Sequence, residues 1–254
     1  MIFTTLQTFF QEHPKAAVAC SGGVDSAFLL WSAKQYGCDV HAYYASSVFQ
    51  PAFALADARR LAAELSVPMA VIDIEILSVQ GVAENGPDRC YHCKRALLLQ
   101  LWEAARQDGH TLLLDGTNAS DHADDRPGMR ALRELAVRSP LQECGLTKDD
   151  VRNGSRAAGL FTWDKPAYSC LATRIPENTP ITRTMLQTVE SAENALFQMG
   201  FSDFRIRLME GAARLQVTEN QMAQAVAERA AITAALRPFF PVVLLDLEPR
   251  PKTT

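Results

Sequence analysis

No apolar run in this chain approaches the roughly 20 residues that a membrane-spanning helix needs. The longest, Phe239 to Leu245, reads as a buried strand. Met1 to Leu6 shows neither the basic stretch nor the small-residue cleavage site of a secretory leader, so a reducing cytoplasm is the expected compartment. Positive charge is not in excess: 25 Lys and Arg stand against 29 Asp and Glu, giving a formal net charge of −4. Proteins that grip nucleic acid do so mainly through basic surfaces that release counterions. The expected partner is therefore a small molecule, with no nucleic acid and no membrane. Six cysteines (Cys20, Cys38, Cys90, Cys93, Cys144 and Cys170) in 254 residues that are 48% apolar do not make a disulfide scaffold. The glycines spell neither the dinucleotide G-x-G-x-x-G nor the triphosphate G-x-x-x-x-G-K-[ST] pattern.

What is present is an alternation of short apolar strands and helical periods. Strands are expected at Lys15 to Cys20, Val40 to Ala45, Met69 to Ile74 and Leu112 to Leu114. Helices are expected between them, at Val24 to Tyr36, Ala52 to Leu65 and Lys94 to Arg106. Two more follow, one over Pro127 to Val137 and one opened by Thr147 with Asp150 three residues on. This alternation predicts α/β architecture, a parallel sheet with helices on both faces, over residues 1–165. Residues 166–181, with Pro166, Pro176 and Pro180, read as a loop-rich connection, and long irregular segments in compact proteins are often functional. Residues 182–254 then give helix, two strands around Glu210-Gly211, one helix over Asn220 to Leu236 and a last strand, a small α+β domain. Pro249 to Thr254 is expected to fray, and Asp124-Asp125-Arg126 to form a charged surface loop.

Ser21-Gly22-Gly23-Val24-Asp25-Ser26 falls between the first strand and its helix, where parallel sheets bind ligands. Two glycines let backbone amides approach an anion, and the following helix turns its positive end toward it. Ser21 and Ser26 add hydroxyl donors, while Asp25 would repel a bare phosphate and so implies a bridging Mg²⁺. The bland alternative is a tight turn with capping side chains. The loop matches the PP-loop signature of ATP pyrophosphatases, whose members include NAD synthetases, GMP synthetases and tRNA-thiolating enzymes.

Three further runs accompany it: Asp88-Arg89-Cys90-Tyr91-His92-Cys93-Lys94, Asp115-Gly116-Thr117-Asn118, and Trp163 to Arg174 (WDKPAYSCLATR). With Arg138-Ser139-Pro140-Leu141 and Arg205-Ile206-Arg207, the set resembles the LarE family of ATP-dependent sacrificial sulfur transferases over most of the chain. The resemblance implies ATP and Mg²⁺ as cofactors, a mononucleotide substrate and a homo-oligomer. It also implies adenylation of a carboxylate of a pyridinium dicarboxylate mononucleotide, followed by sulfur donation from Cys170, which is left as dehydroalanine. The product would feed a nickel-pincer cofactor.

On that resemblance Ser21 to Ser26, Lys94 and Asn118 bind ATP, Lys94 from a helix start. Arg174, Arg205, Arg207 and Glu193 would serve the second substrate; the two strand arginines share one face, which suits a mononucleotide phosphate, a subunit contact or ordinary surface pairing. Lys165 and Arg174 are expected to favour the Cys170 thiolate. Taken alone, Cys170 could equally be a small hydrophobe beneath a loop. Asp115, Asn118 and Asp121 could ligate Mg²⁺, touch ribose or merely form an Asx-rich turn. Cys90-x-x-Cys93 is half of a zinc site and reads as packing, and no iron–sulfur cluster is expected because no second cysteine neighbours Cys170. One departure stands out: Gln216 in Arg214-Leu215-Gln216-Val217 occupies a position where the family usually has Glu. The rival readings are an amide-forming synthetase or tRNA-thiolating enzyme with an external donor and, outside catalysis, a nucleotide-sensing module.

Overall fold

The computed structural model describes residues 2–121 and 127–251. Asp124-Asp125-Arg126 and the last three residues of the tail lie outside them. The chain divides into two compact units, residues 1–82 with 88–165, and residues 83–87 with 166–254.

In the first unit α1 (Ile2–Glu12) precedes β1 (Lys15–Ala19), α2 (Val24–Gln35), β2 (Asp39–Ser46), α3 (Ala52–Glu64) and β3 (Met69–Asp73). Then come α4 (Arg89–Gln107), β4 (Leu113–Leu114), α5 (Pro127–Glu134), α6 (Pro140–Glu143) and α7 (Lys148–Ala157). The four strands are parallel, in the order β3-β2-β1-β4. Because side chains alternate along a strand, β1 sends Ala16 and Val18 to one face and Ala17 to the other. The first face packs on Leu6, Phe10, Phe28, Leu61 and Val151 from α1, α2, α3 and α7. The second packs on Leu98, Leu101 and Trp102 of α4 and on Leu132 of α5. This is the α/β class expected from the alternation.

The order carries the functional consequence. From β1 the chain walks outward through β2 to β3, then returns to the opposite side of β1 to lay down β4. The direction of winding reverses between β1 and β4, and such reversals leave a crevice beyond the carboxyl ends of the strands.

The second unit contains α8 (Arg183–Gln198), β5 (Arg205–Met209), β6 (Ala212–Gln216), α9 (Glu219–Ala227), α10 (Arg229–Leu236) and β7 (Val243–Leu245). β5 and β6 are antiparallel, joined by Glu210 and Gly211 with φ of 51° and 82°. Two positive φ values suit a two-residue hairpin whose twist matches its strands. β7 joins β6 in parallel. Segment 83–87 docks here through Asn85, whose side-chain amide donates to the carbonyls of Pro176 (2.7 Å) and Thr179 (3.1 Å).

Several expectations are corrected. The Asn220 to Leu236 helix is two helices, parted at Glu228, which caps α10 with φ −92° and ψ 12°. The buried strand Phe239 to Leu245 shrinks to an edge strand of three residues with Leu244 exposed, because β7 has only β6 beside it. Helix α4 begins at Arg89 rather than Lys94, so Cys90, Cys93 and Lys94 are all helical. α1 was not anticipated, although Leu6, Phe9 and Phe10 have helical spacing and are buried. Among the described residues no helix is long and apolar enough to cross a membrane.

His110 precedes β4, nearly buried, with its ring edge-on to His41 (5.8 Å) and Tyr43 (6.0 Å). Its Nδ1 has no hydrogen-bond partner among the described residues. Burial, reinforced by Lys15 and His41, lowers its pKa below the ordinary 6.5. The native state therefore holds it neutral. Its contribution to stability is complete above pH 6.5 and drains away as pH falls from there through the depressed native value. Urea midpoints between pH 5 and 8 should fall on acidification, and His110→Phe should flatten that fall.

Candidate functional site

The site is built from the three parallel strands that end together. Ala19 and Cys20 close β1, Tyr44 and Ala45 lie near the end of β2, and Asp115-Gly116-Thr117 follow β4; all line one cavity of about 400 Å³. That is within the size range of small-ligand pockets. Helix α4 supplies the other wall with Lys94, Leu97, Leu98 and Leu101, a spacing that puts a cation and three leucines on one helical face. The leucine stripe is legible in the sequence from that spacing alone.

Ser21 to Ser26 run from the end of β1 into the head of α2, with Gly23 as its N-cap residue. Gly22 has φ +73°, and a Cβ there would lie 2.5 Å from the Ala54 carbonyl oxygen of α3. A Cβ on Gly116 would lie 2.8 Å from the Ser26 nitrogen, so the β4 loop presses directly on the Ser21–Ser26 loop. The two serines bind one another: Ser26 Oγ accepts from the Ser21 amide (3.1 Å), lies 3.2 Å from Ser21 Oγ and donates to the Gly23 carbonyl (3.2 Å). They brace the loop in this structure. The amides of a helix's first turn have no partner within the helix, so the head of α2 offers donors and a positive dipole to an anion.

Three lysines surround the loop, each matched to an aspartate. Lys94 pairs with Asp115 at 3.3 Å, Lys148 with Asp25 at 2.6 Å, and Lys165 with Asp57. Asp115 is nearly buried and also accepts from Thr117 Oγ1 (2.7 Å) and Ser139 Oγ (2.6 Å), so it positions Lys94. Asn118 braces the loop from the β4 side. Its amide nitrogen donates to Asp25 Oδ1 at 3.0 Å, and it is 2% exposed. Asp25 thus has Asn118 on one oxygen and Lys148 on the other. Lys148 opens α7, which carries the full capping box between Thr147 and Asp150.

Mg²⁺ is held through one or two carboxylates together with substrate phosphates. Asp25 and Asp121 in the cavity wall are hard-oxygen donors of the right kind, and Asp25 is paired with Lys148 in this structure. Among the described residues no cluster of three His, Cys, Asp or Glu side chains forms a metal cage. Cys90 accepts a hydrogen bond from Arg89 at 3.3 Å, and no cysteine is in a disulfide.

In the second unit Cys170 is half-buried at the entry to a 3₁₀ turn, Leu171–Arg174. Arg174 of that turn pairs with Glu193, which falls within the apolar stripe Leu186, Val189, Ala192 and Leu196 of α8. A buried carboxylate must be paired, and Glu193 is: it accepts from Arg174 Nε (2.9 Å), Arg174 Nη2 (3.1 Å), the Ile206 amide (3.0 Å) and Tyr168 Oη. Arg174 is 1% exposed and also donates to the carbonyls of Ser169 (2.9 Å) and Cys170 (3.3 Å).

The cations expected around Cys170 all have protein partners in this structure. Arg174 addresses the Cys170 carbonyl through its guanidinium, and Lys165 is occupied by Asp57 and by the Gly22 carbonyl. Arg205 and Arg207 both make hydrogen bonds to protein groups. Arg205 is 5% exposed and donates to the carbonyls of Phe204 and Ala167, both at 2.7 Å, while Arg207 donates to the Thr173 carbonyl (2.8 Å) and to Gln216 Oε1 (2.6 Å). Three arginines therefore clamp the main chain on both sides of Cys170. Gln216 in turn donates to Asp246 Oδ2 at 2.7 Å, a bond that a glutamate could not make.

No family model matches the chain. An uncharacterized protein of Synechocystis sp. is 34% identical over 248 residues, covering 96% of this chain and 92% of that one. A pyridinium-3,5-bisthiocarboxylic acid mononucleotide synthase of Lactiplantibacillus plantarum is 31% identical over 246 residues, covering 96% and 89%. A tRNA-specific 2-thiouridylase of Clostridium botulinum is 25% identical over 181 residues, 59% of this chain and 51% of that protein.

Two substitutions probe the two units separately. Glu193→Ala leaves Arg174 buried without its counter-ion and should cost about 3–5 kcal/mol in urea unfolding. Gly116→Ala, whose Cβ would meet the Ser26 backbone nitrogen at 2.8 Å, should cost about 1–3 kcal/mol of stability and weaken ATP binding on the order of tenfold, because a misplaced loop loses its aligned donors. Isothermal titration would measure the latter.

Proposed function

Because the chain belongs to the LarE family of ATP-dependent sulfur transferases, we propose that it thiolates a carboxylate of a pyridinium dicarboxylate mononucleotide with the sulfur of its own Cys170. The observation that carries this reading is the clamp on Cys170, a half-buried thiol whose flanking carbonyls are held by Arg174, Arg205 and Arg207. A structural cysteine under a loop needs no such apparatus.

ATP lies in the β1–β4 crevice, its phosphates on the head of α2 and its base against the leucines of α4. Asp25 would hold an Mg²⁺ brought with the nucleotide, and the ion would supply neutralisation of phosphate charge. Lys94 and Lys148 exchange their aspartates for phosphate oxygens, which keeps the empty site close to neutral and the loaded one charge-matched.

A carboxylate oxygen of the substrate attacks the α-phosphorus, pyrophosphate leaves, and an acyl adenylate results. The Cys170 thiolate attacks the acyl carbon, forming a thioester as AMP departs. Removal of the Cys170 α-proton then drives its electron pair toward Cβ, and the Cβ–S bond breaks with both bonding electrons on sulfur. The products are a thiocarboxylate and dehydroalanine at position 170, with no oxidant or reductant consumed. Arg174 and Glu193 act as positioning residues for this step. The reaction uses a small mononucleotide, with no nucleic acid, membrane or iron–sulfur cluster, in the cytoplasm and within a homo-oligomer.

Intact-protein mass spectrometry after incubation with Mg-ATP and the mononucleotide tests the proposal. Loss of one H₂S, mapped to residue 170, is expected after a single turnover. Cys170→Ala should still release pyrophosphate and stop at the acyl adenylate, with AMP appearing only as water hydrolyses that adenylate, and should yield no thiocarboxylate. An unchanged mass alongside thiolated product would overturn the sacrificial role.

A further inference from the structure

Lys165 is the last residue of the first unit, and segment 166–181 with Cys170 follows it directly. Its ammonium donates to the Gly22 carbonyl at 3.1 Å, pairs with Asp57 of α3 and lies 5.1 Å from the centre of the Phe53 ring. Its own carbonyl accepts from Arg152 of α7 at 3.1 Å, as does the Trp163 carbonyl at 2.8 Å. The same helix reaches the loop through Lys148 and Asp25. Residue 165 is thus tied to the phosphate loop twice, by its side chain and through α7.

The bond to Gly22 has a specific physical consequence. The peptide joining Gly22 to Gly23 is planar and trans, so its C=O and N–H point in opposite directions. The ammonium holds the oxygen; the N–H is directed the other way, among the donors at the head of α2. A cation on the oxygen polarises the peptide and strengthens its N–H toward an anion, and an anion on the N–H strengthens the oxygen toward the cation. Gly22 cannot swing aside, because it is packed against the Ala54 carbonyl.

We propose that Lys165 is a positioning residue that couples occupancy of the phosphate loop to the root of the Cys170 segment. Nucleotide in the loop tightens the hold on residue 165 and restricts the thiol-bearing segment beyond it. The coupling rests on reading the loop as the ATP site, but not on Cys170 being the sulfur donor. It is reciprocal, so Lys165 also strengthens nucleotide binding, by a factor of about 5 or more if it is of ordinary size.

The test uses the full-length protein and the rate of iodoacetamide alkylation at Cys170, followed by peptide mass spectrometry. Rates are compared without nucleotide and with saturating, non-cleavable α,β-methylene ATP and Mg²⁺. In the wild type the nucleotide should slow alkylation about fivefold or more. In Lys165→Met the slowing should drop below about twofold, with nucleotide affinity down by a similar factor, and Lys165→Arg should restore both. Arg152→Met, which releases the main chain but leaves the ammonium, should also lose the slowing, and it decides the matter if Lys165→Met fails to fold. Equal slowing in wild type and both Met variants, or none in the wild type, would overturn the proposal. So would a loss of affinity of about 100-fold or more in Lys165→Met, which would make the ammonium a direct phosphate ligand. Calorimetric nucleotide binding is read separately, so failure of the loop to bind nucleotide is distinguishable from failure of the coupling.

Discussion

Everything in the first unit depends on β1 being paired in parallel on both sides, to β2 and to β4. That pairing puts the ends of β1 and β4 side by side and leaves no helix between the loops that follow them. Gly116 is then forced against Ser26, and Asn118 against Asp25. The loop conformation is therefore a property of the sheet, and the aligned donors at the head of α2 exist before any ligand arrives. A site of this kind avoids ordering costs on binding, which is the main way that preorganisation raises affinity.

Charge is handled differently in the two units. Around the phosphate loop the three Lys–Asp pairs are partly exposed, and pairs in such surroundings are weak enough to be exchanged. Around Cys170 the Arg174–Glu193 pair is almost wholly enclosed, and enclosed pairs are costly to break. The first arrangement suits binding and release of a polyanion, the second the holding of one backbone geometry.

The sequence made the local features readable and left the distant ones dark. A strand running into Gly-Gly and then into a helix announces a ligand loop, because all its parts are contiguous. The alternation of strands and helical periods likewise announced a parallel sheet. By contrast, Lys148 meets an aspartate 123 residues away, and Lys165 one 108 residues away, and no periodicity encodes such pairings. Arg205 and Arg207 show the same limit. Period two places them on one face of β5, but it does not reveal that Ala167 and Thr173 would bring their carbonyls to that face. Glu193 was legible in principle, as a carboxylate interrupting an apolar stripe, and Leu97, Leu98 and Leu101 as the stripe itself.

The link from Arg207 through Gln216 to Asp246 makes two positions, 30 residues apart, a single chemical unit. The amide must present its oxygen to the guanidinium and its nitrogen to the carboxylate, so the orientation of Gln216 is fixed by its neighbours. A glutamate at 216 would set one anion against another unless residue 246 lost its charge in the same lineage. The two sites should therefore drift together among relatives, so that an acid at one predicts a non-acid at the other, and neither is free to vary alone.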